Sequence, residues 1–260
     1  VYVHVTFLPY IGATHELKTK PTQHSVNELR RIGIQPDVIL CRSDHFVSDS
    51  IREKISLFCD VESEAVVPLV TSDTVYEVPL ILEEAGLGDF LTARLGLPQT
   101  VPDLERWKSL VERLKSEREQ VHVAIVGEHV QLKDAYYSAR EALVHAALAH
   151  EREAVIHWID SRELANGDVS PLRHVQGIVA PDSSHYSGLE GLIAAAGYAR
   201  TKNIPFFGLG MGMHAMAIEF ARSVAELPDA NSTEFVESTP HPVVDRTIAP
   251  DPTGLRRGTY

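Results

Sequence analysis

Lys18-Thr19-Lys20-Pro21-Thr22-Gln23 gathers two lysines and two threonines just ahead of a segment with helical spacing. A helix start offers unpaired backbone N–H groups and the positive end of the dipole, so Thr22 or Gln23 placed there would face an anion. Lysines add point charges suited to phosphate oxygens, and the Gln23 amide can donate to and accept from a base edge or sugar. The same residues also suit an ordinary N-cap with solvated lysines, so spacing alone leaves both readings open. A second segment, Phe206-Phe207-Gly208-Leu209-Gly210-Met211-Gly212-Met213-His214, reads as a strand, glycines and then a helix. That is the shape of a nucleophile elbow, which exposes one side chain on a strained turn. Its centre, Gly210, has no side chain to attack with, which favours a closely packed glycine turn. A third segment is Pro181-Asp182-Ser183-Ser184-His185-Tyr186-Ser187-Gly188. Ser183 or Ser184 near His185 or His214 has the residue types of a serine hydrolase, but neighbours within one loop rarely face each other.

These segments need elements to hold them. Val1 to Leu8, Val38 to Leu40 and Val66 to Val70 are short β-branched runs that predict strands. Gln23 to Ile32, Ser50 to Phe58 and Tyr76 to Ala85 carry helical spacing. Pro98 to Gln120 shifts in composition. Leu104, Trp107, Val111 and Leu114 mark one apolar face there, against a charged face holding Arg106, Lys108, Glu112, Arg113 and Lys115. This predicts a solvated linker helix between domains. A second alternation follows: strands at Val121–Gly127, Val155–Ile159, Gly177–Ala180 and Ile204–Leu209, and helices at about 134–150, 189–201 and 213–224. The expectation is α/β throughout, with a doubly wound second half.

The chain has 260 residues, enough for one or two domains with sizeable cores. With 24 Lys plus Arg against 36 Asp plus Glu the net charge is −12, which argues against a nucleic-acid coat or an anionic membrane surface. Cys41 and Cys59 form no CxxC pair, so neither zinc nor redox chemistry is signalled, and reduced thiols in a cytoplasmic protein are expected. There is no apolar run of membrane-spanning length and no signal-peptide pattern; Val1-Tyr2-Val3-His4-Val5 reads as a strand already under way, as in a chain cut from a longer one. The histidines show no HExxH spacing.

Several strings carry a resemblance to the CTP synthase family. They are Glu16 to Val26, Glu28-Leu29-Arg30, Ile32 to Asp37, Cys41-Arg42-Ser43-Asp44 and Lys54-Ile55-Ser56-Leu57-Phe58-Cys59. The resemblance runs from Val1 to about Asp245. It implies the end of a P-loop-like amidoligase domain (residues 1–97), a linker helix (98–120) and a flavodoxin-like, doubly wound class I glutaminase domain, truncated (121–260). In the family the lysine-rich string lines the site for UTP, which also serves as the CTP feedback site. Lys18, Thr19, Lys20, Gln23 and Lys54 match nucleotide-contacting positions, Phe58 matches a ring near the base, and Arg42 matches a residue near the adenine of ATP. Thr71-Ser72 replaces the family's Asp-Val pair. The ATP loop, its lysine and the Mg²⁺ carboxylates belong to the part that precedes Val1, and nothing here reads GxxxxGK[ST], so no cofactor is expected in this chain.

The resemblance places Gly210 where the glutaminase has its cysteine, and His214 where it has a glutamine. Asp182 and Ser183 replace two glycines of the oxyanion loop. Asn231-Ser232-Thr233-Glu234-Phe235 is intact, and Glu234 matches the residue that holds the glutamine amino group. Pro240 to Asp245 is family-like, Thr253 to Gly258 is faintly so, and the lid and closing His-x-Glu would lie beyond Tyr260. A family member making CTP from UTP, ATP and glutamine is therefore expected here to be catalytically incomplete. Its expected role is a pseudoenzyme that binds UTP or CTP and forms a homo-oligomer or joins a full-length synthase. Two alternatives are a truncated or decayed synthase, and a hydrolase built on the altered 182–185 and 214 cluster.

Overall fold

Apolar residues on both faces of a short run make a central parallel strand, since helices must then cover both sides. The run Val38–Ser43 has this pattern, with Val38, Ile39, Leu40 and Cys41 all buried. The computed structural model describes residues 1–182 and 186–245. It divides into two units, Val1–Ser116 and Glu117–Tyr260.

In the first unit, β1 (Val3–Phe7) leads to a two-residue hairpin, β2 (Tyr10–Ile11) and β3 (Glu16–Leu17), and then to α1 (Lys20–Arg31). There follow β4 (Val38–Ser43), α2 (Asp49–Cys59), β5 (Val66–Val70), α3 (Val78–Glu84), α4 (Leu87–Arg94) and α5 (Glu105–Lys115). The sheet is parallel in the order β1-β4-β5. On one face Ile39 and Cys41 pack with Val26 of α1 and Ile55 and Cys59 of α2. On the other, Val38 and Leu40 pack with Leu82, Leu87, Phe90 and Leu91 of α3 and α4.

Three local details differ from the sequence reading. First, α1 begins at Lys20, with Thr19 as its N-cap, and not at Thr22 or Gln23. Pro21 falls in the first turn, where its missing N–H costs nothing, and Thr22 turns into the core and donates to Thr6 Oγ1 at 3.1 Å. Second, the helix expected over Tyr76–Ala85 is a 3₁₀ turn followed by α3, and a further helix, α4, starts at once behind Gly86, whose φ is +75°. Third, the β2–β3 hairpin is too short to show any period. The apolar face of α5 is turned inward: Val111 is buried, and Trp107 Nε1 donates to the Tyr76 carbonyl at 2.6 Å. Lys115 pairs with Glu77 at 2.5 Å, but an exposed pair contributes little, so the apolar face dominates.

In the second unit, β6 (Glu119–Gly127), α6 (Tyr137–Ala149), β7 (Arg152–Asp160), α7 (Ser161–Leu164), β8 (Gly177–Ala180), α8 (Leu189–Lys202), β9 (Phe206–Gly208) and α9 (Met211–Ser223) follow in turn. A small parallel pair, β10 (Ala230–Ser232) and β11 (His241–Val244), completes the unit. The main sheet is parallel in the order β7-β6-β8-β9, the flavodoxin-like order of a doubly wound domain. Ile125, Ile156 and Trp158 face Ala139 and Leu143 of α6, while Ala124, Val126 and Ile178 face α8 and α9. Among the described residues no helix is long and apolar enough to cross a membrane.

The α8–α9 contact holds a buried carboxylate. Glu219 is 4% exposed and receives Arg200 through three hydrogen bonds of 2.8–3.2 Å. The Arg200 hydrogen bond holds its carboxyl below the usual carboxylate range, against the opposing effect of burial. The unfolded chain then takes up this proton more readily than the folded one. The pair's stabilisation is full above the unfolded value of about 4.3 and fades as pH falls through the depressed folded value. Breaking a buried pair costs about 3–5 kcal/mol. Arg200 is partly exposed, so Glu219→Gln is expected to lower stability by about 1–2 kcal/mol at neutral pH. In urea unfolding the gap between wild type and variant should close well below about pH 4, and a gap that persists into strong acid would contradict this assignment.

Candidate functional site

The first group of candidate residues is positioned by the β2–β3 hairpin and α1. The Lys18 N–H donates to the Pro9 carbonyl at 2.9 Å, which fixes the chain between hairpin and helix. Thr19 is buried and accepts a hydrogen bond from Gln23 Nε2 at 3.1 Å, one helical turn on. Lys18 Nζ pairs with Glu16 Oε1. The Lys18 ammonium holds the Glu16 carboxyl below its ordinary value, and the Lys54 ammonium adds a weaker pull in the same direction. Phe58 lies one turn beyond Lys54 on α2 and is 55% exposed, a large ring presented to solvent.

Lys20 is exposed in the first turn of α1 and Arg42 is exposed on β4; neither side chain has an ion pair among the described residues. The Thr71-Ser72 replacement serves local structure. Thr71 Oγ1 donates to Asp44 Oδ1 at 2.6 Å, and Ser72 Oγ donates to the Thr74 carbonyl at 2.9 Å.

The second group surrounds the turn from β9 into α9. Gly210 has φ +52° and ψ −114°, a conformation costly for any residue with a Cβ. The turn thus takes a conformation strained for other residues at a position that carries no side chain. Asp182, at the end of β8, reaches across: its Oδ1 accepts the Met211 N–H at 2.8 Å. A Cβ placed on Gly210 would lie 2.1 Å from that same oxygen. His214, in the first turn of α9, has its Nδ1 3.7 Å from Glu234 Oε2, and that buried nitrogen has no hydrogen-bond partner among the described residues. Its ring lies 6.1 Å from that of Phe235. The structure therefore brings Gly210 to Asp182 and His214 to Glu234. Asn231 and Ser232 are buried and shape a turn: the Glu234 N–H donates to Ser232 Oγ at 3.2 Å. Ser183, Ser184, His185 and the segment Thr253 to Gly258 lie outside the described residues.

A polar cluster that the sequence reading did not single out sits at the carboxyl ends of β6 and β7. Glu128 is buried and accepts from Ser187 Oγ at 2.5 Å. Asp160, whose carboxyl the Arg162 guanidinium holds low, caps α7 through the Arg162 N–H at 2.9 Å. The Ser161 hydroxyl is buried without a hydrogen-bond partner among the described residues. The available signal was positional: carboxylates directly after apolar strands in a doubly wound pattern, where such sheets place ligands.

Neither cysteine is a substitute nucleophile. Burial pushes the Cys41 thiol up to about 12 and also raises that of Cys59, and both lie in the core of the first unit. A thiol reacts through its thiolate, so native protein treated with iodoacetamide near neutral pH is expected to stay unmodified. The same protein in denaturant should gain two adducts by mass spectrometry. Rapid labelling of the native state would refute the inert reading.

Residues 1–97 match the family model described as CTP synthase N-terminus, and residues 131–248 match that described as glutamine amidotransferase class-I. The chain is 52% identical over 256 residues to a CTP synthase of Dehalococcoides mccartyi, covering 98% of this chain and 47% of that protein. It is 53% identical over 258 residues to a CTP synthase of Thermomicrobium roseum, covering 99% and 46%. It thus spans about half the length of these curated relatives. A solved structure, the Trypanosoma brucei CTPS glutaminase domain with bound acivicin, is 36% identical over 48% of this chain and 49% of that chain, with a TM-score of 0.45.

Proposed function

Because this chain belongs to the CTP synthase family, we propose that it is a pyrimidine-nucleotide-binding member whose glutaminase half is catalytically silent. The observation that carries the reading is Gly210 at the centre of an intact elbow, with the Asp182 carboxylate where a side chain would stand. Hydrolysis of a carboxamide through a covalent intermediate needs a nucleophile to form the acyl bond and a donor to receive the oxyanion. A hydrogen atom cannot supply the first, and a carboxylate beside the developing negative charge opposes the second. No ammonia release from glutamine above a blank is expected of the purified protein, and release at enzyme-like rates would overturn this half of the reading.

The nucleotide half rests on the Lys18–Glu16 ion pair just ahead of α1, with Lys54 adding a weak pull on Glu16 and the exposed Phe58 ring one turn beyond Lys54 on α2. A phosphate chain entering there would displace Glu16 as the counter-ion of Lys18. The pairing being replaced is an exposed one, so the exchange loses little. Thr19 and Gln23, already hydrogen-bonded to each other, supply neutral donors and acceptors beside it. The partners proposed are UTP or CTP, together with further copies of this chain or a full-length synthase. Calorimetry with CTP and UTP should give a saturable binding heat. Lys18→Ala and Lys54→Ala should each weaken binding by about tenfold or more, as expected for loss of a charge-assisted phosphate contact. No heat with either nucleotide, or variants that match the wild type, would remove the nucleotide-binding reading.

A further inference from the structure

The turn at Gly210 keeps the backbone of an elbow, yet the space in front of it is filled. A side chain at 210 would start 2.1 Å from Asp182 Oδ1, 2.3 Å from its Cγ and 2.8 Å from Oδ2. These are overlaps with the whole carboxylate and not with one passing atom. The same Oδ1 accepts the Met211 N–H at 2.8 Å. In a strand-elbow-helix acyl-transfer site the N–H of the residue after the nucleophile is one of the oxyanion donors. An oxyanion is a negatively charged oxygen held at hydrogen-bond distance from such an N–H, and the Asp182 oxygen meets that description.

We propose that Asp182 is a built-in occupant of this seat: one carboxylate holds both the space of a side chain at 210 and the place of the oxyanion over the Met211 N–H. The inference rests on the reading that the glutaminase half is silent, and it deepens that reading by making positions 182 and 210 a coupled pair. Returning a thiol at 210 alone would force Asp182 out of its place at the start of α9. A displaced carboxylate left nearby would still disfavour the thiolate. Clearing position 182 alone would free the Met211 N–H but supply no nucleophile. Only the two changes together reopen the seat.

The test uses the full chain in four forms: wild type, Gly210→Cys, Asp182→Gly, and the double variant. Alkylation of the new thiol by iodoacetamide near neutral pH is followed by mass spectrometry, with the buried Cys41 and Cys59 as an internal background. The double variant is expected to react at least about tenfold faster than Gly210→Cys. In thermal melting the two substitutions should be non-additive, the single Cys variant melting below the value that additivity gives. The strain of a Cβ at this φ is common to both Cys variants and cancels in the cycle. A Gly210→Cys protein that fails to fold while the double variant folds also supports the proposal. A Gly210→Cys protein that folds, reacts as fast as the double variant and melts additively overturns it.

A second measurement covers the case in which neither Cys variant folds. Hydrogen exchange of the Met211 amide should be at least about tenfold faster in Asp182→Gly than in wild type, and Asp182→Asn, which keeps an accepting oxygen, should retain protection. Unchanged exchange in Asp182→Gly overturns the proposal. Ammonia release by the wild type would sink the earlier reading whatever these rates are. Equal alkylation and exchange rates would sink this inference alone.

Discussion

At Gly208 and Gly212 the start of α9 is pressed against the ends of β8 and β9 with no room for a side chain at either position. A Cβ on Gly212 would fall 2.2 Å from the Ala180 carbonyl oxygen, which is backbone and has little freedom to move. This contact brings the end of β8, and with it Pro181 and Asp182, alongside the turn at Gly210. The first N–H of α9 then points at whatever follows β8. In this chain an aspartate follows, and its carboxylate meets a helix N-terminus that favours negative charge. The geometry of the second unit's candidate site comes from this one close approach.

The same approach explains the backbone of the turn. The conformation at Gly210 is imposed by the strand-to-helix packing around it, and glycine adopts that φ without strain. Asp182 accepts from a donor that the start of the helix would otherwise expose. His214 and Glu234 face each other beside this turn, carried by α9 and by the turn after β10. They survive as a packed pair of polar groups, with the Phe235 ring close by.

The first unit is organised differently. Its charged candidates, Lys18, Lys20 and Lys54, lie just ahead of α1, in its first turn and on α2, and none depends on a strained backbone. Glu16 acts as the resident counter-ion for Lys18, with Lys54 adding to the field there. Such a site is soft. Long side chains can exchange an internal carboxylate for a ligand phosphate with little reorganisation of the fold. The two units therefore differ in kind: one candidate site is set by a rigid turn, the other by long charged side chains.

Much of this was legible in the residues themselves. The two periodicities located nearly every long strand and helix, because burying one face of a helix or both faces of a parallel strand leaves a mark in composition. Gly210 announced the missing nucleophile, since no conformation can give glycine a side chain. The long strings shared with the CTP synthase family, such as Glu16 to Val26, identified the lineage. The start of α1 was misplaced because Pro21 reads as a breaker although it is tolerated in a first turn. The short pairs β2–β3 and β10–β11 left no signal because two or three residues carry no period. What the sequence determined was which groups are present. Only the tertiary structure decided that Asp182 lies against the turn at Gly210, or that His214 meets Glu234. Those pairs are 28 and 20 positions apart by subtraction of their residue numbers (210 − 182, 234 − 214). Contacts across such separations are set by how strands and helices pack, which no local pattern of residues encodes.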